Sequence, residues 1–434
     1  MQHSFIDLEK YFDLLWPICR SITGQGVRQS IEILKEVIPL EMHEVKTGTQ
    51  AFDWQVPREW NVDDAYITDM DGNRLIDFKE NNLHLMSYSI PIKRTMTWLE
   101  LEPHLYFDAN LAQAIPYRTS YYKDNWGFCL SKNQYDKISK NDEFQVFIDT
   151  SLSDGVLNYA DLVLPGDSSE EIFFSSYICH PSMANNEISG PLLLAAIYQY
   201  VKKLPNRKYT YRFLLAPETI GAICYLSEYG ENLKENMKAG YILTCVGLDQ
   251  PVTYKRSRQL TAYNDRVFEY VLKNEELNSL PYEILDFSPF GSDERQYCSS
   301  GFNLPVGSAV RGMYGKYPEY HTSLDNKDLL SFQAIHEMVD LYSKVVDIIE
   351  NDIFYISEYP YCEPQLGKRG VYPTTGGEKH NQYVHAMLWL LNLSDGHNSE
   401  RDIISKSGLD KEIIKVTASK LLEKGLLKKV NHKV

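Results

Sequence analysis

The sequence predicts an α/β fold, with a mixed, largely parallel sheet that carries helices on both faces. From about residue 116 to residue 350, short apolar β-rich runs alternate with helical stretches, which is the pattern of a sheet with substantial parallel content. Several runs end abruptly at polar residues, and ligands bind at the carboxyl ends of strands in such sheets. With 434 residues the chain exceeds the size at which a single core stops growing, so we expect further domains.

The N-terminal part predicts helices followed by a β-rich segment. Residues 5–38 have the helical spacing of apolar residues, with a break at Gly24-Gln25-Gly26. Residues 52–107 change to short β-like segments separated by turns. We therefore assign residues 52–115 to a small inserted β-rich domain, and residues 1–51 together with 116–350 to the α/β domain.

Strands and helices of the α/β domain are predicted to alternate along the chain. That alternation is what places helices on both faces of the sheet. The predicted strands are 143–149, 160–164, 171–178, 209–215 and 240–246, and the predicted helices are 191–203 and 222–232.

The C-terminal part predicts a separate small domain. Residues 359–377 are rich in proline and glycine, and we assign residues 351–381 to a linker. Residues 382–434 contain helical patterns at 383–393, 400–407 and 411–424 and a β-segment at 426–430. Three helices with a tight turn between the second and third, followed by a β-segment, are the outline of a winged helix-turn-helix domain.

The composition argues against several classes of protein. The formal net charge of −15 disfavours a general nucleic-acid-binding surface, which needs clustered lysine and arginine. The seven cysteines are scattered and lack Cys-x-x-Cys spacing, so we expect neither a disulfide framework nor a cysteine-type zinc site. No signal-peptide pattern is present, and no apolar run approaches the roughly 20 residues of a membrane span. We expect a cytoplasmic protein with no membrane partner.

The predicted strand at 171–178 leads into a polar loop that contains His180, Asn186 and Glu187. A neutral imidazole and a carboxylate are usual ligands of Zn²⁺, and loop residues can converge on one ion. A second interpretation needs no metal: Asn185 or Asn186 caps the following helix, and Glu187 stabilises its first turn. The residues alone leave both interpretations open.

The next predicted strand ends at Glu218, in the sequence Pro217-Glu218-Thr219-Ile220-Gly221. A carboxylate at the mouth of an apolar sheet has a raised pKa, so it can take a proton from water and return it to a leaving amine. Stabilisation of the N-terminus of the following helix by Glu218 is the alternative.

A third region combines Asp293 with the later sequence Glu319-Tyr320-His321-Thr322-Ser323. His321 precedes an amphipathic helix, at a loop position from which a ligand can point inward. The alternative is an exposed His321 beside a helix capped by Thr322 or Ser323. For Asp293 the alternatives are a place in the site and a salt bridge at the surface.

In this order, the motifs resemble those of the zinc aminopeptidases with the phosphorylase/hydrolase-like fold, a clan that includes bacterial leucyl aminopeptidases and glutaminyl cyclases. More closely, the chain resembles a bacterial aminopeptidase-like family of unassigned substrate, with an N-terminal β insert and a C-terminal winged helix. The resemblance covers nearly the whole chain. The motifs that carry it are the strand ending at His180, Asn185 to Gly190, Pro217 to Gly221, Ser292 to Glu294, and Tyr320 to Asp325.

The resemblance implies a metal ligand at His180, a general base at Glu218 and a last metal ligand at His321. Three acidic ligands of the two-zinc enzymes are replaced: Asn186 stands at the bridging aspartate, Thr219 at the glutamate after the base, and Thr244 at the strand aspartate. Ser182 replaces the aspartate that orients the first histidine.

Neutral replacements remove the charge that two zinc ions need, so one zinc is favoured over two. The expected ligands are His180, His321 and Glu187, with Asn186 as a weak ligand or hydrogen-bond donor. Asp293 is a reserve carboxylate, and Asp293 and Tyr320 are expected to contact substrate.

The predicted function is metal-dependent hydrolysis of the aminopeptidase type, on a small peptide or an amide-bearing small molecule. The alternative is an altered scaffold that binds a ligand and acts as a regulatory module coupled to the winged helix. For the winged helix a protein partner is favoured over nucleic acid. A homo-oligomer is left open.

Overall fold

The computed structural model describes residues 6–371 and 378–430. The chain divides into two compact units, Met1–Val345 and Val346–Val434. Among the described residues, no helix combines the length and the apolar character that a membrane crossing requires.

The α-helices are labelled in chain order. They are α1 (Leu8–Leu15), α2 (Gln25–Leu34), α3 (Trp98–Leu101), α4 (Lys132–Tyr135), α5 (Ser189–Lys202), α6 (Ile220–Asn236), α7 (Tyr263–Lys273), α8 (Glu294–Tyr297), α9 (Phe332–Asn351), α10 (Glu378–Leu393), α11 (Glu400–Ser407) and α12 (Lys411–Glu423).

The strands are labelled in the same way. They are β1 (Glu41–Lys46), β2 (Gln50–Ala51), β3 (Trp54–Gln55), β4 (Glu59–Thr68), β5 (Arg74–Asp77), β6 (Ile92–Thr97), β7 (Leu105–Tyr106), β8 (Phe128–Cys129), β9 (Glu143–Ser153), β10 (Val156–Leu164), β11 (Glu171–Tyr177), β12 (Thr210–Ala216), β13 (Met237–Ile242), β14 (Val252–Lys255), β15 (Tyr282–Leu285), β16 (Val306–Val310), β17 (Phe354–Ser357), β18 (Asp395–Ser399) and β19 (Leu427–Val430).

The main sheet of the first unit has the strand order β1-β10-β12-β11-β13-β16-β14-β15. Strand β11 pairs in parallel with β12 and β13, and β13 pairs in parallel with β16. Strands β10 and β14 run antiparallel to their neighbours β12 and β16. All residues of β11 are buried, as expected for a central strand covered on both faces. The prediction of a mixed sheet with a parallel centre is confirmed.

A second sheet has the order β5-β4-β9-β6 and is antiparallel. The sequence prediction placed a strand at 143–149 in the main sheet, and this was wrong, because β9 pairs with β4 and β6. Burial alternates along the first half of β9, which is typical of a strand with one solvated face. The inserted sheet therefore draws its central strand from beyond residues 52–115, and the chain re-enters the main sheet at β10.

The second unit contains α10, α11 and α12 and a sheet of order β18-β17-β19. The three predicted helices and the final β-segment are confirmed. Strand β17 pairs with both β18 and β19, so residues 354–357 belong to this unit and not to a linker. The rest of the predicted linker includes residues 372–377, which lie outside the described residues. The core of the second unit includes Ala386, Leu390, Ile403, Ile414, Ala418, Leu421 and Leu426.

Gly190, at the start of α5, fits closely against the main sheet. A Cβ atom at this position would lie 2.3 Å from the Leu243 carbonyl oxygen and 2.4 Å from Ser176 Oγ. We expect Gly190→Ala to lower the free energy of unfolding by about 1–3 kcal/mol, as overpacking does in close-packed interiors. Urea unfolding measures this. In the matched control Gly301→Ala the new methyl meets nothing within 4 Å, and equal stability losses in both variants would contradict the close fit.

Candidate functional site

His180 and Glu218 follow the carboxyl ends of neighbouring parallel strands. In the β11–β12 register Tyr177 lies opposite Ala216, so the two loops leave the sheet side by side. His180 Nε2 lies 3.7 Å from Glu218 Oε2, with 6% of the histidine side chain and 24% of the glutamate side chain exposed. The sheet therefore brings these two predicted site residues together at the edge where ligands bind.

His321 reaches the same place from the loop before α9. Its ring centroid lies 5.3 Å from that of His180. Tyr320 stacks on His321 with centroids 4.0 Å apart, and Tyr117 contacts both histidine rings at 5.1 and 5.4 Å. Nε2 of His321 is buried and has no hydrogen-bond partner among the described residues. Burial and the charge of His180 lower the pKa of His321 to about 3, so its ring is neutral at physiological pH.

Glu187 forms a hydrogen bond with Nδ1 of His180, the ring nitrogen that does not face Glu218. It lies in a π-helical turn, Ala184–Ile188, that leads directly into α5. His180 Nδ1 donates to Glu187 Oε2 at 3.0 Å, and the Cys179 N–H donates to Glu187 Oε1 at 2.6 Å. Burial opposes a charged ring, but the contacts with Cys179 and Glu187 outweigh it and raise the pKa of His180 well above its ordinary value. A more basic imidazole is a stronger ligand at its other nitrogen.

A buried arginine, which the sequence did not reveal, neutralises Glu187. Arg20 Nε lies 3.5 Å from Glu187 Oε1, and both side chains are 1% exposed. The same Nε donates to the His180 carbonyl oxygen at 3.0 Å, and Nη1 donates to the Leu15 carbonyl oxygen at 2.7 Å. Arg20 therefore ties the N-terminal helices to the loop that carries His180.

Two places near His180 offer donor atoms to a cation. On the Nδ1 side, ligand atoms of Cys179, His180 and Glu187 lie within 4.8 Å of one another. There the guanidinium of Arg20 opposes a second positive charge. On the Nε2 side lies the carboxylate of Glu218, and the ring centroid of His321 lies 5.3 Å from that of His180.

The side chain of Asn186 is occupied elsewhere. Its Oδ1 accepts a hydrogen bond from the Tyr177 hydroxyl at 2.9 Å, and Thr244 Oγ1 donates to that hydroxyl at 2.6 Å. The backbone N–H groups of Asn185 and Asn186 donate to the two carboxylate oxygens of Asp325, at 2.7 and 2.9 Å. The structure thus places Asn186 and Thr244 in one buried network around the Tyr177 hydroxyl.

The direction of Glu218 is set by a tight turn. The Ile220 N–H donates to the Glu218 carbonyl oxygen at 2.8 Å, and Thr219 between them has φ 65°. A β-branched residue in this region is strained, so surrounding contacts must hold it. The Thr219 N–H donates to Asp293 Oδ1 at 2.8 Å, and Arg295 Nη2 donates to Thr219 Oγ1 at 2.8 Å.

Charges around Glu218 affect its proton affinity. Burial raises the pKa of Glu218, while His180 and Arg295 oppose the increase. Burial and the charge of Glu218 raise the pKa of Asp293 well above its ordinary value. Asp293 hydrogen-bonds to the backbone of Thr219, and Tyr320 stacks on His321.

His180, Glu218 and His321 border a cavity of about 400 Å³, whose lining does not include Asp293 or Tyr320. Part of its wall comes from the segments around β3 and before β8, whose residues the sequence did not single out. The tyrosine-rich run from residue 117 to residue 122 was the available signal. The lining residues are Ile22, Trp54, Tyr117, Thr119, Tyr121, Tyr122, Cys179, His180, Glu218, Thr219, Ile220, Arg295 and His321.

A mixed sheet with a histidine and a glutamate at the ends of adjacent parallel strands, followed by a winged helix, defines an aminopeptidase-like class of protein. The chain belongs to the family described as a domain of unknown function (DUF4910), which matches residues 10–352. A winged helix-turn-helix family matches residues 354–429.

Individual proteins support this assignment. A candidate polysaccharide biosynthesis protein with an aminopeptidase-like domain, from Clostridium acetobutylicum, is 48% identical over 96% of this chain and 94% of that protein. The crystal structure of a candidate peptidase from Clostridium acetobutylicum is 45% identical, with a TM-score of 0.83 over 99% of this chain and 97% of that chain. BSAP, a zinc aminopeptidase from Bacillus subtilis, shares the fold at 11% identity, with a TM-score of 0.57 over 78% of this chain and 94% of that chain. The predicted resemblance is confirmed.

Proposed function

We propose that this protein is a metal-dependent hydrolase of the aminopeptidase type that cleaves an amide bond in a small peptide or amide-bearing small molecule. The observation that carries the proposal is the approach of His180 Nε2 to Glu218 Oε2, 3.7 Å apart in one cavity with His321. The similarity to aminopeptidase-like proteins over the whole chain supports the same reaction class.

The donor set fits one metal ion and does not fit two. His180 Nε2 and His321 Nε2 would hold it, since the first is made more basic by its contacts with Cys179 and Glu187 and the second is buried without a partner. The neutral side chains at the other three ligand positions already form hydrogen bonds elsewhere; these are Asn186, Thr219 and Thr244. When bound, zinc supplies Lewis acidity and lowers the pKa of water.

In this proposal Glu187 orients His180 instead of acting as a ligand. A histidine ligand usually donates its second ring N–H to a carboxylate, and the Glu187–His180 bond at 3.0 Å has that form. Glu187 then takes the task that Ser182 cannot perform. Arg20 balances the carboxylate, so the Nδ1 side is unsuited to a second cation.

Glu218 moves the proton. Its Oε2 accepts a proton from the attacking water and delivers it to the nitrogen of the leaving amine. Burial favours this role because a raised pKa brings the carboxylate closer to the operating pH. The Thr219 turn, held by Asp293 and Arg295, keeps the carboxylate directed at His180.

We expect the purified protein to bind one equivalent of zinc after reconstitution and dialysis. His180→Ala and His321→Ala should each lose it, because each removes one of two imidazole ligands. Metal analysis of the dialysed variants measures this. His385→Ala, at an exposed position in α10, is the control and should retain the zinc. Two equivalents in the wild type, none, or full retention in His180→Ala would contradict the proposal.

A ligand-binding or regulatory scaffold coupled to the winged helix is the second candidate. The observation that favours it is the neutral, fully engaged network at Asn186 and Thr244, where two-zinc enzymes have acidic ligands. Turnover of aminoacyl amides that depends on Glu218 would exclude it. We propose a protein partner for the winged helix and, because all seven cysteines are free, a reducing compartment.

A further inference from the structure

Arg295 lines the cavity, and one of its buried donor atoms has no acceptor in the described structure. Its Nη2 donates to the neutral hydroxyl of Thr219 at 2.8 Å. Its Nε is buried, and within residues 6–371 and 378–430 that atom has no hydrogen-bond partner. Guanidinium remains charged at all relevant pH values, and a buried donor without an acceptor destabilises the folded state. The unmatched donor therefore points to an acceptor that arrives with a ligand.

Within the described ranges, the neighbouring carboxylates form no hydrogen bond with Arg295. Glu294 is fully buried; its Oε1 accepts from Lys255 Nζ at 2.7 Å and from the Tyr314 hydroxyl at 2.9 Å, and its Oε2 has no hydrogen-bond partner among the described residues. Asp293 accepts from the Thr219 N–H, and burial raises its pKa. In the described part of the chain, neither carboxylate forms an ion pair with Arg295.

Several of the residues that line the cavity are aromatic. Trp54 and Tyr122 pack edge to face with ring centroids 6.0 Å apart, and 41% and 52% of their surfaces are exposed. Deeper in the cavity, the hydroxyl groups of Tyr117 and Tyr121 are 2.9 Å apart. A ligand that fills about 400 Å³ would therefore meet one guanidinium and several apolar ring faces.

We propose that Arg295 binds a carboxylate of the substrate, so that the substrates are small acidic amides with an apolar or ring-bearing group. Dipeptides and N-acyl amino acids belong to this class. The inference rests on the proposed function, because it places the carboxylate in the cavity where Glu218 acts. Guanidinium binds carboxylate through two parallel hydrogen bonds. A phosphate dianion fits less well, since Glu218 repels it.

The test compares N-acetylphenylalanine with its uncharged analogue N-acetylphenylalaninamide. Binding of each to the full chain is measured by isothermal titration calorimetry. We expect the acid to bind about ten- to a hundred-fold more tightly than the amide, as a charge-assisted bidentate contact does. Arg295→Gln should abolish that preference, and Arg295→Lys should retain part of it. Arg258→Gln, which removes an arginine that contacts Asn303 elsewhere, should leave it unchanged.

Equal binding of the acid and the amide to the wild type would overturn the inference, as would binding of neither ligand. A preference for the acid over the amide that survives in Arg295→Gln would overturn it too. The same result is expected if Arg295 acts only on the transition state and not on the bound ligand. Arg295→Lys keeps the test decisive if the glutamine variant does not fold. Binding needs no turnover, so a preference for the acid without hydrolysis would refute the proposed reaction and leave the role of Arg295 intact.

Discussion

Glu218→Gln should lower the turnover number for aminoacyl amides by about two to four orders of magnitude, the usual contribution of a general base. Glutamine has nearly the same shape as glutamate but cannot accept a proton. The contacts that hold the turn, from Asp293 and Arg295 to Thr219, do not involve the altered atoms, so the fold should persist. Initial rates with zinc-reconstituted protein measure the effect.

The matched control is Glu228→Gln, an exposed glutamate on α6, which should keep wild-type turnover. Zinc content should remain near one equivalent in both variants, because neither removes an imidazole. Wild-type turnover in Glu218→Gln would show that Glu218 is not the general base. Equal losses in both variants would show that the effect is not specific to the cavity.

Arg20→Met should lower the free energy of unfolding by about 3–5 kcal/mol, because it removes the guanidinium from a buried ion pair and leaves His180 as the one remaining cationic partner of Glu187 among the described residues. The side chains of Arg20 and Glu187 are each 1% exposed, and Arg20 Nε lies 3.5 Å from Glu187 Oε1. Arg20→Met also removes the donors to the carbonyl oxygens of Leu15 and His180. Urea unfolding followed by tryptophan fluorescence measures the loss.

The control compares a shorter ion pair at the surface. Arg58 and Asp124 approach to 2.6 Å, with 47% and 71% of their side chains exposed, and Arg58→Met should change stability by less than about 1 kcal/mol. Adding Glu187→Gln to Arg20→Met should recover part of the loss, since the buried carboxylate charge is then gone. A loss in Arg20→Met no larger than in Arg58→Met would contradict the structural role of the buried pair.

The main sheet could be predicted because its central strands are continuous apolar runs separated by helices. Strand β9 could not be placed, because its alternating pattern fits any strand with one solvated face. Its partners β4 and β6 are set by contacts distant along the chain. The beginning of the C-terminal unit was missed for the same reason: β17 is a short strand whose partners β18 and β19 lie far along the sequence.

At the site, the sequence could indicate His180 and Glu218 because they follow apolar strands, and His321 because it lies in a polar loop before a helix. These positions alone left structural alternatives open, and the resemblance to zinc aminopeptidases favoured the site. It could not indicate which ring nitrogen of His180 would meet Glu187, since that depends on the rotamer and on the π-helical turn. Arg20 is 160 residues from His180 along the chain, and only the tertiary fold makes it a neighbour.

Anomalous X-ray diffraction at the zinc edge, from crystals of the full chain grown with zinc, tests the proposed metal site. One anomalous peak is expected in the cavity, in contact with Nε2 of His180 and with His321. Two peaks, a peak between Cys179 and Glu187 on the Nδ1 side, or no peak in the cavity would contradict it.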